Sequence, residues 1–419
     1  MKITMRFIIQ LEKLTGDSMY ITRALLLFLL SLFSSNLLSQ VSSDVITYID
    51  YSISINDRTH IVSIPKGYKL ELLNSSLAKP RMLSFLPNKE LLIGSKSGHI
   101  YRLLPPYRKF TSILKLDNYP HSIVYKNNTL FIAQTNGLYK VDYTPGQKSI
   151  DHSRLQLITS LPTGGHSSRT LGLGPDRKIY LSIGISGNCS NEYLHPSYEF
   201  EDRRGGIYVL DESALPLALK VFSSGLRNPV GFDWHPITNI MYASNNGPDH
   251  LGFELPPEYF SKITPNSFHG MPWYYYNGND IKRDSCIKWN PPLPIDKVVH
   301  PVATFPARNA PMGVSFVSLK DLDGRFTYNA IVALRGSWGT PDKGSYAQRH
   351  ASRRHPKLVM VKFMNDGATR VVDFITGFQL ANGDRWARPV GTAIGPDHNL
   401  YFTSDSGING LFRLSKSND

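Results

Sequence analysis

The chain has 419 residues, and its 46 Lys and Arg against 33 Asp and Glu give a net charge of +13. Hydrophobic residues make up 41% and charged residues 19%, which excludes a wholly disordered chain. Two cysteines exclude a disulfide-dense scaffold and a multi-cysteine zinc site. The 32 Gly, 28 Pro, 22 Tyr and 20 Phe favour many short strands and turns. The excess positive charge points to an anionic partner, such as nucleic acid, a membrane or cell-wall polymer, or a small cofactor.

The N-terminal segment has the features of a secretion signal. Residues 24–34 form an apolar run after Arg23, too short for a membrane span of about 20 residues but typical of a signal peptide. We therefore predict a signal peptide over residues 1–43, with an uncleaved signal anchor as the alternative, and a lead-in over residues 44–67. Secretion also agrees with three candidate N-glycosylation sequons, at Asn74, Asn127 and Asn188.

A repeated unit occupies the rest of the chain. Each copy has an apolar strand, a turn of the Pro-Asp or Asn-Asn type, an aromatic-rich strand, a glycine-containing turn and a third strand. The clearest copies are residues 170–182 and 391–403, which share Gly-Pro-Asp at the turn. Six copies begin near residues 82, 122, 170, 230, 313 and 391. Such a repeat predicts one domain over residues 68–415 in place of several.

The number of strands predicts the architecture. Candidate fourth strands follow the first five units, at residues 110–116, 154–160, 219–224, 301–305 and 371–376. The sixth unit has none, and residues 68–73 provide a spare strand ahead of the first unit. We therefore predict an all-β fold, a six-bladed β-propeller of four-stranded antiparallel blades, closed by the N-terminal strand. The alternative, a pair of β-sandwiches, gives no reason for six repeats.

The residues before the first strand of each blade form the first group of candidate site residues. These positions meet on one face of a propeller, around the central channel. His166, within Gly-Gly-His-Ser-Ser-Arg-Thr, can act as a general base or only hydrogen-bond in the channel. Arg227 offers a fork of donors for carboxylates and Asn228 offers a donor and an acceptor, although both could form a structural corner.

Further candidates lie on the same face. Arg335 and Arg388 could point into the channel, although single arginines are commonly solvated. Gly247 and Pro248 form a turn whose carbonyl groups could bind Ca²⁺, although Gly-Pro is first a turn signal. The prevalence of polar and basic residues at these positions suggests a site for an anionic ligand.

Several other classes of site are absent from the sequence. It contains no Walker-type loop, no zinc-spaced Cys/His set and no Gly-x-Ser-x-Gly elbow. The basic residues do not form a known nucleic-acid-binding module, so we expect no nucleic-acid partner. The stretch 335–357 holds six Lys and Arg against one acid, Asp342, and is a candidate surface for an acidic cell-wall polymer.

Taken together, these motifs resemble a known family. Residues 164–180, 225–231, 246–249, 255–258 and 388–391 are similar to the soluble glucose/sorbosone dehydrogenases, which are six-bladed propellers dependent on pyrroloquinoline quinone (PQQ). The Gly-Gly-His-x-x-Arg-Thr and Leu-Pro-Pro-Glu forms look like the sorbosone dehydrogenase branch, which includes the fungal pyranose dehydrogenases. The resemblance extends from about Lys69 to Leu414.

The resemblance implies a function and the roles of residues. It implies oxidation of a sugar by hydride transfer to PQQ, with His166 as the base and an external electron acceptor. Arg227 and Asn228 would hold the quinone oxygens, and Arg335 and Arg388 would neutralise its carboxylates. The carbonyl groups of Gly247 and Pro248 would bind Ca²⁺.

The sequence departs from the family at several positions. Gly165 stands where some relatives have Asp, which puts glucose-type substrate contacts in doubt. His121, a candidate cofactor-binding residue, stands where some have Gln. Trp386 replaces a basic residue, which would weaken carboxylate binding or replace it with stacking. In a secreted member of this family, Cys189 could pair only with Cys286. The departures motivate an alternative, an inactive propeller that binds a glycan or a protein. A lactonase ranks last, because the blade-entry residues are basic.

Overall fold

The structure is a computed structural model that describes residues 45–190, 204–337 and 353–417. Tyr48–Asp419 form one compact unit. The predicted signal peptide lies outside the described residues, as does the stretch 338–352 of the basic insertion. In the described ranges, no helix is long and apolar enough to cross a membrane.

Six antiparallel sheets contain most of the strands, in chain order around the molecule. Blade 1 consists of β4 to β7 (Pro80–Phe85, Leu91–Ser95, His99–Leu103, Phe110–Lys115). Blade 2 consists of β8 to β11 (Pro120–Lys126, Thr129–Gln134, Gly137–Asp142, Gln156–Ser160). Blade 3 consists of β12 to β15 (Leu171–Leu173, Ile179–Ile183, Gly206–Asp211, Ala218–Ser224). Blade 4 consists of β16 (Gly231–Trp234), β17 (Met241–Asn245), β18 (Glu258–Ile263) and β22 (Ala303–Phe305). Blade 5 consists of β23 to β26 (Pro311–Phe316, Ala330–Leu334, Lys357–Phe363, Thr369–Ile375).

Blade 6 joins the two ends of the propeller. It contains β27 (Ala387–Ile394), β28 (Leu400–Lys416) and β3 (Tyr68–Asn74). The first part of β28 pairs with β27 and its last part pairs with β3, with Leu414 opposite Leu70. The long element β28 therefore serves as two successive strands of a four-stranded blade. The predicted six-bladed fold, closed by the N-terminal strand, is confirmed.

The strand sequences reflect their position between blades. Inner strands such as β5 and β24 are continuous apolar runs and are buried along their whole length, because neighbouring blades cover both of their faces. The outermost strands β7 and β11 are partly exposed. Residues from β4, β8, β12, β16, β23 and β27 together line one central channel.

Glycines allow the inner strands to approach one another closely. A Cβ atom at Gly231 would lie 2.0 Å from the carbonyl oxygen of Met312 on the next blade. A Cβ atom at Gly391 would lie 2.3 Å from the carbonyl oxygen of Arg81. The glycines in the sequence repeat are thus required where adjacent blades meet.

Additional elements decorate the ring. The predicted lead-in contains a hairpin of β1 (Tyr48–Ile55) and β2 (Arg58–Pro65), which the sequence analysis did not predict. Between β18 and β22 lie β19 (Ser267–Phe268), parallel to β15, and a hairpin of β20 (Tyr274–Tyr276) and β21 (Ile281–Arg283). Short 3-10 helices cover His152–Arg154, Ile295–Lys297 and Asp321–Gly324.

The two cysteines are bonded. The Cys189–Cys286 disulfide has a Cα–Cα distance of 5.9 Å. It joins the connection that follows β13 to the segment that follows β21. The described chain therefore contains no free cysteine.

Candidate functional site

The loop before β12, which carries His166, is held by two arginines. The fully buried Arg169 donates to the carbonyl oxygens of Pro162, at 2.6 Å, and of His166 itself, at 2.8 Å. Arg204 donates to the carbonyl oxygen of Gly164, at 2.7 Å. These contacts satisfy carbonyl groups of an irregular loop and fix its backbone.

The hydrogen bonds of His166 determine its protonation. Its Nδ1 lies 2.5 Å from the carbonyl oxygen of Ile185, which only accepts, so Nδ1 carries the proton and Nε2 keeps its lone pair. Burial, followed by the positive charge of Arg227, lowers the pKa of His166 to about 3. The imidazole is therefore neutral at physiological pH and can accept a proton at Nε2.

Asn228 is next to His166. A Cβ atom at Gly184 would lie 2.6 Å from Oδ1 of Asn228 and 2.9 Å from Cβ of His166, so both side chains meet over this glycine. A similar argument explains Gly165, whose φ is +60° and whose Cβ would lie 2.2 Å from Ser186. The loop therefore requires glycine at position 165 for steric reasons. From the sequence alone, Gly165 suggested a change in substrate contacts.

Arg227 is buried beside this pair. Its Nη2 donates to Oδ1 of Asn188, at 2.7 Å, and lies 3.4 Å from Oδ2 of Asp249. Oδ1 of Asn188 also accepts from the backbone N–H of Asp249, at 3.0 Å. Asn188 thus orients the guanidinium, and it is adjacent to the disulfide.

A cationic cluster surrounds Asp405, which lies near the end of the part of β28 that pairs with β27. Nη1 of Arg81 lies 2.6 Å from one carboxylate oxygen of Asp405, and Nε of Arg335 lies 2.8 Å from the other. Arg388 donates to the carbonyl oxygens of Arg335, at 2.9 Å, and of Gly336, at 2.7 Å. The structure therefore brings Arg335 and Arg388 together, as predicted, and adds Arg81.

The charges in this cluster favour an anion. Burial, then Arg335 and Arg385, lower the pKa of Arg388, while Asp405 acts in the opposite direction. The pKa of nearby Lys96 is lowered by burial and by Arg81 and Arg335. Guanidinium groups are hard to neutralise, so these shifts signify an excess of positive charge in a buried region. A polycarboxylate bound there would relieve it.

The two groups lie across the channel from each other. His166 and Asn228 enter blades 3 and 4, whereas Arg81, Arg388 and Asp405 belong to blades 1 and 6, on the opposite side of a six-membered ring. The start of a first strand and the end of the antiparallel second strand share one edge of a blade. All of these residues therefore lie at one mouth of the channel.

His121 has a structural role in this arrangement. It is fully buried, and its Nδ1 and Nε2 lie 2.5 Å from Oη of Tyr119 and 3.0 Å from Oγ1 of Thr170. Burial, then Arg81 and Arg169, hold its pKa well below the usual value. Because protein groups engage both ring nitrogens, direct cofactor binding by His121, as the sequence suggested, does not fit the structure.

Trp386 also departs from its predicted role. Its indole Nε1 donates to the carbonyl oxygen of Gly377, at 2.7 Å, and its ring stacks on His60 with the centroids 4.4 Å apart. Phe378 and Phe412 pack around it, and only 6% of Trp386 is exposed. The hairpin β1–β2 and blade 6 thus already cover the ring, which leaves little of its surface for a stacking contact with a cofactor.

The predicted calcium ligands do not fit a metal site either. The carbonyl oxygen of Pro248 accepts from Nη1 of Arg308, a side chain only 2% exposed. The backbone N–H of Gly247 donates to the buried carboxyl group of Glu258, whose pKa burial raises to about 7. A guanidinium thus stands where Ca²⁺ was expected, and it occupies the Pro248 carbonyl oxygen that the ion would need.

Sequence reasoning missed Arg81, Arg308 and Asp405. Arg81 and Asp405 are 324 positions apart in the chain, so no local pattern links them. The repeat gave one usable signal, because Arg335 follows the second strand of blade 5 and Asp405 lies near the end of the second strand of blade 6, at the same edge as Asn246. Glu258, by contrast, belongs to the Leu-Pro-Pro-Glu motif, and its contact with Gly247 explains that motif.

Comparisons with known proteins agree with the resemblance to PQQ-dependent sugar dehydrogenases. The TrAA12-like family model matches residues 62–258. A structure of a Trichoderma reesei member of carbohydrate-active enzyme family AA12 is 18% identical, with a TM-score of 0.69 over 90% of this chain and 100% of that one. The holo PQQ domain of pyranose dehydrogenase from Coprinopsis cinerea is 19% identical, with a TM-score of 0.65 over 85% and 97%.

Two further similarities extend this finding. PQQ-bound aldose sugar dehydrogenase from Streptomyces coelicolor is 16% identical, with a TM-score of 0.59 over 84% of this chain and 100% of that one. An uncharacterized protein of Borreliella burgdorferi is 26% identical over 392 residues, which are 90% of this chain and 96% of that protein. The structural similarities establish the propeller fold.

Proposed function

We propose that this protein oxidises a sugar, with PQQ as its cofactor. One observation supports the proposal above all others. A neutral histidine with an available Nε2 lies across one channel mouth from a buried excess of guanidinium groups. The first group can accept the proton of a sugar hydroxyl at Nε2, and the second suits a cofactor with several carboxylates.

Each residue would have a defined task. PQQ, when bound, supplies an acceptor for the hydride and its two electrons. His166 accepts the hydroxyl proton at Nε2, while Nδ1 remains hydrogen-bonded to Ile185. Arg227 and Asn228 provide donors beside this histidine for oxygens that gain negative charge. Arg335 and Arg388 hold carboxylates on the far side of the mouth.

The proposal includes the location of the protein. Residues 1–43 have the pattern of a secretion signal, and a disulfide such as Cys189–Cys286 is typical of oxidising compartments. We therefore propose that the mature protein acts outside the cytoplasm and transfers electrons to an external acceptor. The substrate would be a small aldose or pyranose.

The binding-only alternative has lost its original motivation. Gly165 and Trp386 suggested a degenerate site, but the structure gives each a packing role. Neither position therefore argues against catalysis. This alternative still predicts a distinct result, because a propeller that only binds a glycan would oxidise no sugar after loading with PQQ.

The test is sugar-dependent dye reduction by the PQQ-loaded protein, measured with a panel of aldoses. His166→Gln should lower kcat by about 100-fold or more, as expected for loss of a general base, and should leave PQQ binding intact. His152→Gln, at an exposed histidine, is the matched control and should retain full activity. No oxidation of any sugar by loaded wild-type protein would refute the proposal.

A further inference from the structure

Arg308 occupies an unusual position beside the proposed cofactor site. It lies between β22 and β23, and its backbone has a φ of +70°, which residues other than glycine rarely adopt. Its guanidinium is buried and faces the turn that follows β17, which contains Gly247 and Pro248. A strained backbone with a buried charge suggests a functional constraint.

The guanidinium contacts four oxygen atoms in and next to this turn. It donates to the carbonyl oxygens of Pro248 and Leu255, and it lies 2.6 Å from that of Gly252. It also lies 3.3 Å from Oδ1 of Asp249. Three carbonyl oxygens and one carboxylate oxygen therefore converge on one buried cation. Such a donor set is the kind that a bound Ca²⁺ would otherwise collect.

The turn reaches the cofactor site through Asp249. One oxygen of this carboxylate faces Arg308, and the other faces Arg227 at 3.4 Å. The backbone N–H of Asp249 is bonded to Asn188, which also holds Arg227. The position of Arg227 thus depends on a turn that the contacts of Arg308 hold in place.

The electrostatics oppose an added divalent ion. The carboxylate of Asp249 already pairs with the guanidinium groups of Arg227 and Arg308. Glu258 is buried, and its carboxyl group accepts a hydrogen bond from the N–H of Gly247. A Ca²⁺ ion at the Pro248 carbonyl would lie beside Arg308 without an uncommitted carboxylate among these neighbours. Like charges at such short separation in a buried region repel strongly.

We propose that Arg308 replaces Ca²⁺ as the cation that organises this turn, so that the site binds PQQ without calcium. The inference rests on the proposed function. Arg308 is a positioning residue, because it reaches the site only through Asp249 and Arg227. The guanidinium crosslinks the turn permanently, and the apo protein would already hold Arg227 in its binding orientation.

The experiment is a PQQ titration in EDTA and in excess CaCl₂, followed by protein fluorescence, with calorimetry of CaCl₂ added to the apo protein. For the wild type we expect the same PQQ affinity in both buffers. We also expect no heat from binding of calcium with a Kd of roughly 10⁻⁵ M. Arg308→Met should weaken PQQ binding in EDTA by about tenfold or more, the size expected for loss of a charged hydrogen bond, and calcium should restore part of the loss.

Two variants control for misfolding and for general charge loss. Arg308→Lys keeps the charge and should bind PQQ more tightly than Arg308→Met in EDTA. Arg325→Met removes an exposed arginine that donates to the carbonyl oxygen of Lys66 and lies over the ring of Phe326, and this variant should behave as the wild type. Circular dichroism establishes that each variant is folded.

The results separate the two proposals. Binding of PQQ only in calcium, or a calorimetric calcium signal from the apo wild type, would overturn the role of Arg308 and leave the proposed function standing. No PQQ binding in either buffer would overturn both the proposed function and the inference that rests on it.

Discussion

At the scale of single residues, two histidines with lowered pKa values affect the stability of the protein. Burial, then Arg227, lowers the pKa of His166 to about 3, and burial lowers the pKa of His269 to about 3. Their ordinary value is 6.5, so the unfolded chain binds protons that the folded protein does not. Each therefore makes the protein less stable as the pH falls below about 6.5.

The pH dependence of stability tests the protonation assigned to His166. Glu258 and Asp233 have pKa values that burial raises to about 7 and about 6, so they titrate in the opposite sense and complicate the wild-type curve. A comparison with His166→Gln isolates the histidine. Between about pH 6 and pH 4, the wild type should lose about 1.4 kcal/mol per pH unit more than the variant.

Denaturant unfolding at several pH values provides this measurement. The two free-energy curves should be parallel above pH 7 and should converge or cross as the pH falls. Curves that remain parallel down to pH 4 would mean that His166 titrates normally. The same protonation predicts that acid inactivation of sugar oxidation above pH 4 does not arise from His166.

At the scale of elements, closure of the ring depends on β3. Leu70 is 1% exposed and pairs with Leu414, whereas Lys69, its neighbour on the same strand, is only partly buried. Leu70→Ala should lower the free energy of unfolding by about 2–5 kcal/mol, because it leaves a cavity in the blade that joins the chain ends. Lys69→Ala should change it by less than about 0.5 kcal/mol.

Chemical denaturation of both variants checks this prediction. A similar small effect of Leu70→Ala and Lys69→Ala would contradict a closing role for β3. Among the described strands, no other takes this position in the ring. The lost packing energy should therefore appear as a lower free energy of unfolding of the whole domain.

The disulfide joins two elements and also supports the site. Cys189 follows Asn188, which holds Arg227 and Asp249, and the bond closes a loop with a sequence separation of 97. Cys189→Ser should therefore lower stability by about 2–5 kcal/mol and weaken PQQ binding. Thermal unfolding and a PQQ titration measure the two effects.

A double-mutant cycle provides the control for the disulfide. Cys286→Ser and the double variant should give the same loss as Cys189→Ser, because one bond is removed in all three. Additive losses, or free thiols in the unreduced wild-type protein, would contradict the bond.

At the scale of the whole molecule, the sequence predicted the ring better than the site. The six blades were predictable because apolar strands separated by a turn recur in each copy, most clearly in the two copies that share Gly-Pro-Asp. The hairpin β1–β2 was not, because residues 44–67 lie outside the repeat. His166 and Arg388 were identified from their positions before first strands, a property of topology.

The environments of Trp386 and Pro248 depend on side-chain packing between distant residues. Trp386 is two residues from Arg388, yet a register shift between Ala387 and Pro389 breaks the alternation that would place both on one side. The contact between Arg308 and Pro248 was not predictable, because the two residues lie 60 positions apart. Contacts between distant residues leave no mark in a single sequence.

The overall charge is now partly accounted for. Arg81, Arg335 and Arg388 surround the proposed cofactor site. In the described end of the basic insertion, Arg354 pairs with Glu254 at 2.7 Å and Lys357 with Asp373 at 2.6 Å. These two cations are committed within the protein, which weakens the case for a surface that binds an acidic polymer.

The central claim is that the cationic cluster at the channel mouth binds PQQ, and an equilibrium titration of the purified protein with PQQ tests it most directly. The wild type should show saturable binding of one PQQ per chain. Arg388→Met should raise the Kd by about tenfold or more, since it removes a buried charge that faces the carboxylates. Binding that does not saturate, or that Arg388→Met leaves unchanged, would contradict the account.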